Sequence, residues 1–114
     1  MFRPGEIVIA AFPFSSLTTL KRRPCVVLAE SDTPNDFVVA FITKTTAAAN
    51  LPSAVLIDSA HPAWKHTGLK VQSVIRPDKL VTLNDAVISG AIGVLPSDLL
   101  AVVRQKLKHL FQIP

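Results

Sequence analysis

The chain has a single cysteine, Cys25, and four glycines scattered along its 114 residues. One cysteine cannot close an internal disulfide. Its place in the apolar run Cys25-Val26-Val27-Leu28-Ala29 reads as a small buried hydrophobe of a protein kept in a reducing, cytoplasmic setting. Scattered glycines supply neither a Gly-rich phosphate loop nor a Gly-x-Ser-x-Gly nucleophile elbow, and no Ser/His/Asp triad is legible. The three histidines, His61, His66 and His109, share no spacing with a cysteine that would make a zinc site. No metal or cofactor is therefore expected. Charge is also scarce, at 18% of residues against 49% hydrophobic, which excludes general disorder. No apolar run approaches the roughly 20 residues that span a bilayer. The start, Met1-Phe2-Arg3-Pro4-Gly5, has no apolar h-region, so neither a signal peptide nor a membrane partner is expected.

What remains is one domain, 1–114, rich in apolar residues and carrying a formal net charge of +4. The surplus apolar surface suggests cover by a second copy, a homodimer. The basic balance favours anionic partners such as nucleic acid. Short runs bounded by turn residues predict strands at Glu6–Phe12, Arg23–Glu30, Phe37–Thr43, Pro52–Ile57, Val71–Arg76, Lys79–Leu83 and Val87–Val94. All residues of Ile7–Phe12 are apolar, so both faces of the first strand are expected to be covered. After Pro96, Ser97 is expected as N-cap of a helix with Asp98 in its first turn. Its apolar stripe runs Leu99, Leu100, Val103, Leu107, Leu110 and Phe111, with Arg104, Lys106 and Lys108 opposite. The whole reads as a small, bent antiparallel sheet or open barrel capped by one helix.

Three stretches could carry chemistry. Lys21-Arg22-Arg23-Pro24 sets a cationic block against the apolar run that follows. Burying charge is costly, so the block belongs at a strand mouth, with Pro24 at the first strand residue or on an edge. Arg23 would then be held on a rigid element, as a phosphate-binding arginine requires; the same block also reads as a solvated turn. Arg76-Pro77-Asp78 places opposite charges two residues apart, on one side of an extended strand, as proton mover and phosphate clamp or as a structural ion pair. Thr43-Lys44-Thr45-Thr46 ends a strand with hydroxyls and a charge, suited to a phosphate or to capping a turn. Trp64 could stack on a base or anchor its loop.

Taken in order, Gly5-Glu6-Ile7-Val8, Phe12-Pro13-Phe14, Lys21 to Leu28, Val39 to Thr43, Gly68-Leu69, Ser73 to Arg76, Asp78 to Leu83 and Ile92 to Leu95 resemble the MazF/PemK family of toxin–antitoxin ribonucleases, over nearly the whole chain. The resemblance implies a dimeric SH3-like barrel with a C-terminal amphipathic helix, shared with CcdB-type gyrase poisons. It implies metal-independent, sequence-specific cleavage of single-stranded RNA by 2′-hydroxyl attack, leaving a cyclic phosphate and a 5′-hydroxyl. It also implies an antitoxin protein that occupies the RNA groove, any DNA contact arising only through that antitoxin. The family's arginine before proline falls on Arg23, its strand-end threonine on Thr43, and the arginine and aspartate of the PemK-type branch on Arg76 and Asp78. Arg23 would stabilise the phosphorane and is the candidate proton donor. Asp78 is the candidate base, and Lys21, Arg22, Lys44, Ser73 and Lys79 would bind RNA. The first loop, Phe14-Ser15-Ser16-Leu17-Thr18-Thr19-Leu20, lacks the histidine that some members carry there. A non-catalytic gyrase poison and a degenerate, inactive homologue are the alternatives.

Overall fold

The computed structural model describes residues 1–12 and 21–114. The expected first loop lies outside the described residues. Among the described residues six strands, β1 (Glu6–Phe12), β2 (Lys21–Glu30), β3 (Asp36–Thr43), β4 (Val55–Ile57), β5 (Ser73–Asn84) and β6 (Ile88–Val94), form one sheet in the order β4-β5-β3-β2-β1-β6. Every pairing is antiparallel. β4 and β6 are its two edges, so the sheet is open. One helix, α1 (Ser97–Leu110), follows.

Strand alternation divides the apolar residues between two cores. Ile7, Val26, Ala40, Ile42, Ile57 and Ile75 pack with Leu95 and Val103, and Leu99, Leu100 and Leu107 of α1 lean on this cluster. On the other side, Val8, Ala10, Cys25, Val27, Phe37, Val39, Leu83 and Ile88 cluster, with Phe2 set edge-to-face on Phe37 at 5.5 Å between ring centres. Both faces of β1 are thus covered, as its uninterrupted apolar run predicts.

Several expected boundaries shift for local reasons. β2 begins at Lys21, so Pro24 lies inside the strand, opposite Ile9 of β1. The β2–β3 ladder starts only at Cys25↔Phe41. At Pro24 the β3-side edge of β2 is therefore unpaired, a position that tolerates a missing N–H. Pro77 does not end its strand. β5 runs on through it as a bulge, with Phe41↔Arg76 followed directly by Ala40↔Leu80, leaving residues 77–79 without partners on β3. Val71 precedes β5, and Val87 belongs to a 3-10 turn, Asp85–Val87, capped when Asn84 Oδ1 accepts from the Ala86 N–H at 3.0 Å.

The N-cap of α1 is Pro96, not Ser97, and no side chain caps it. Asp98 instead accepts from His61 Nε2 at 3.0 Å, tying the helix's first turn to the loop ahead of β5. This bond holds the Asp98 carboxyl below its ordinary range. The apolar stripe is buried at Val103, partly buried at Leu99, Leu100 and Leu107, and exposed at Leu110 and Phe111. Lys106 is not simply solvated: its Nζ donates to the Pro52 carbonyl at 3.0 Å.

Candidate functional site

The unpaired end of β2 opens a cleft. Beyond Cys25 the strand has no β3 partner, and the space is walled by Arg23 and Pro24 on one side and by Phe41, Ile42, Thr43 and Lys44 on another. Leu69, Lys70, Val71 and Ser73 form the remaining wall of this cavity of about 130 Å³. Arg23, Lys44 and Lys70 contribute positive charge, and no acidic residue lines it. None of the three has a carboxylate partner among the described residues. The segment 13–20 contains no acidic residue. Uncompensated cations around a partly apolar hollow favour an anion with an apolar portion.

Thr43 Oγ1 accepts from the Thr45 N–H at 3.1 Å, which leaves its hydroxyl proton to be given. Ser73 is buried, and its Oγ donates to the Val71 carbonyl at 2.8 Å. Its proton is committed to shaping the wall, which leaves the hydroxyl only as an acceptor.

Arg76 and Asp78 do not line this cleft. Arg76 pairs with Phe41, a cleft residue, and paired residues share a face of the sheet, so the two sites are neighbours. Arg76 Nε and a terminal nitrogen donate to the two Asp78 oxygens at 2.9 and 2.8 Å, a bidentate pair. The two side chains are 18% and 34% exposed. The hydrogen bonds from Arg76 hold the Asp78 carboxyl below the ordinary carboxylate range, and the same bonds raise the Arg76 guanidinium. Asp78 is thus firmly ionised and a weaker base than a free carboxylate.

The remaining candidates disperse. Lys21 is exposed opposite Phe12. Arg22, one residue out of phase with Arg23, hydrogen-bonds Ser89 Oγ and borders a separate depression with Ile9 and Ile92. Lys79 lies over the Phe41 ring, 5.8 Å from its centre. Trp64 packs against the helix-side core, which favours the anchoring role. The Leu69–Val71 wall went unnoticed in the sequence as site material. Its signal was the backbone of Thr67-Gly68, where a left-handed Gly68 and a fully buried Thr67 fix the turn that presents it.

Fold and cleft together define a small open-sheet β-domain with one covering helix and an anion-receptive hollow at a splayed strand end. The chain belongs to the PemK-like, MazF-like toxins of type II toxin–antitoxin systems, a family known as endoribonucleases, whose profile matches residues 3–111. Among solved structures it is similar to the Mycobacterium tuberculosis toxin MazF-mt6, with 23% identity, coverage of 98% of this chain and 99% of that one, and a TM-score of 0.74. It is also similar to MazF from Deinococcus radiodurans, with 25% identity, 98% and 97% coverage, and a TM-score of 0.74. A third is an endoribonuclease in complex with its cognate antitoxin from a mycobacterial species, with 13% identity, 100% and 98% coverage, and a TM-score of 0.76. No curated protein sequence matches the chain. Among the described residues no helix is long and apolar enough to cross a membrane.

Proposed function

We propose that this toxin cuts single-stranded RNA at short sequences, without a metal, by attack of the 2′-oxygen on the adjacent phosphorus. The P–O2′ bond forms as the P–O5′ bond breaks, giving a 2′,3′-cyclic phosphate and a 5′-hydroxyl. The observation that carries this reading is the meeting of Arg23, Lys44 and the Thr43 hydroxyl in one cleft without an acidic residue. Arg23 stabilises the charge that builds on the phosphorane and is the candidate proton donor to the leaving oxygen. Thr43 donates to a non-bridging oxygen. Preorganised donors of this kind contribute roughly 10²–10³-fold each.

Arg76 and Asp78 work from beside Phe41. An incoming phosphate draws the Arg76 guanidinium towards itself, and as the two hydrogen bonds lengthen Asp78 regains basicity and takes the 2′-hydroxyl proton. The Arg76–Asp78 pair thereby couples substrate arrival to the base. Lys21, Arg22 and Lys79 add charge along the approach, and Ser73 accepts from the nucleotide.

The working unit is a homodimer in the cytoplasm. Exposed Ile92 and Val94 of β6, with Val87 in the turn before it, offer apolar surface to a second copy. A cognate antitoxin silences the toxin by filling the RNA groove.

The test is incubation with a long single-stranded RNA in EDTA, followed by end mapping. Discrete cuts with 5′-hydroxyl ends are expected. Intact RNA from folded protein overturns the ribonuclease reading and moves weight to a gyrase poison, which a supercoiling assay then checks.

A further inference from the structure

The cleft wall at residues 69–71 has no part in the chemistry above, yet the turn that leads into it is tied closely to its neighbours. Thr67 is fully buried, and its Oγ1 donates to the Trp64 carbonyl at 2.7 Å while accepting from the Leu69 N–H at 3.1 Å. Gly68 is left-handed, and a Cβ there would overlap the Ile92 carbonyl of β6. A Cβ at Gly93 would overlap the backbone of Thr67 in turn. Loop and strand thus touch backbone to backbone, through two glycines. Downstream, Gln72 Oε1 accepts from the Ser59 N–H at 3.1 Å, and upstream His61 is tied to Asp98 on the helix. Lys70 is carried on this braced segment. It is exposed, lines the same cavity as Arg23, and has no carboxylate partner among the described residues.

Lys70 also borders a second, adjoining hollow with Ile9, Pro24, Gly68, Leu69 and Ile92. It stands on the ridge between a cationic cleft and an apolar one, with Pro24 and Leu69 common to both.

We propose that Lys70 binds an RNA backbone phosphate from the wall facing Arg23, and so guides the strand over the ridge between the two hollows. The proposal rests on the ribonuclease reading. An ammonium is a compact point charge without a fork, so Lys70 adds affinity irrespective of base sequence.

The experiment uses the full chain and a mixed-sequence 2′-fluoro RNA, which lacks the attacking hydroxyl and so binds without being cut. Affinity is followed by fluorescence anisotropy across a series of potassium chloride concentrations. Lys70→Gln is expected to weaken binding and to make the slope of log K against log salt shallower by about 0.7, the loss of one phosphate contact on a single strand. Lys70→Arg is expected to restore the slope, with cut sites on ordinary RNA unchanged. A Lys70→Gln slope equal to the parent's, with the parent binding and cutting RNA, overturns the Lys70 assignment alone. A weakening that tracks a lowered melting temperature and is not rescued by Lys70→Arg overturns it as well. A parent that neither binds nor cuts RNA removes the ribonuclease reading, and the assignment with it.

Discussion

Three arginines of this chain precede a proline, and two of them, Arg23 before Pro24 and Arg76 before Pro77, have surroundings that assign them different work. Arg76 gives two charge-assisted hydrogen bonds to Asp78. A phosphate must compete with that carboxylate to engage it. Arg23 has no carboxylate partner among the described residues and faces a cavity with two lysines. Arg23→Ala is expected to reduce RNA cleavage by roughly 10²–10³-fold with the melting temperature held, and Arg76→Ala by less; timed cleavage of one labelled RNA ranks the two. Equal rates for Arg23→Ala and the parent would remove Arg23 from the site.

Cys25 gives a second prediction at this scale. It is fully buried between the β1 and β3 neighbours Val8 and Phe41, and burial pushes its thiol up to about 12 from 9.0. Below pH 9 the thiol is protonated in both the folded and unfolded chain, and its favourable contribution is complete. Between pH 9 and about 12 only the unfolded chain ionises, so this contribution is lost with a slope of up to about 1.4 kcal/mol per pH step. Denaturant midpoints of the parent should therefore fall more steeply above pH 9 than those of Cys25→Ala. Parallel curves would contradict the assignment.

At the scale of elements, the site depends on contacts that carry little apolar area. β2 and β3 splay because Pro24 and the late start of their ladder leave an open edge. The opposite wall stands at its height because Gly68 and Gly93 let a loop lie directly on β6. Gly93→Ala forces the two backbones apart and is expected to cost about 1–3 kcal/mol, the range for overpacking. The melting temperature should drop by several degrees, and cleavage should fall further than stability explains because Lys70 shifts. Gly90→Ala is the contrasting control for steric crowding: none of the described residues lies within 4 Å of where its Cβ would stand, although its φ of +153° is one that alanine rarely adopts. An unchanged melting temperature for Gly93→Ala would show that the loop yields without cost.

For the molecule as a whole, apolar side chains left in water set the expectation. Val71, Val87, Ile92, Val94, Phe111 and Ile113 are all at least 39% exposed. A second copy that covers part of this surface binds only the folded state, so stability follows protein concentration by mass action. The melting temperature is expected to rise with concentration, and sedimentation is expected to show a dimer. A concentration-independent melt together with a monomer mass would rule the homodimer out.

Much of this was determined by sequence alone. Alternation and turn residues placed the strands, since side-chain period and local backbone preference act over a few residues. The stripe around Val103 oriented α1 for the same reason. Arg23, Thr43 and Lys44 were legible as candidates because their types and strand-end places carry meaning without partners. The tertiary structure decided what depends on distant segments. It joined β2, the end of β3 and residues 69–73 into one cleft, and added Lys70 to it. It committed Arg76 to Asp78 and placed that pair beside the cavity. It also turned Asp98 from a helix-end charge into a partner of His61. No local rule reaches across the tens of residues that separate Arg23 from Lys70, or His61 from Asp98. Their meeting follows from the register of an antiparallel sheet and from two glycines thin enough to let a loop touch a strand.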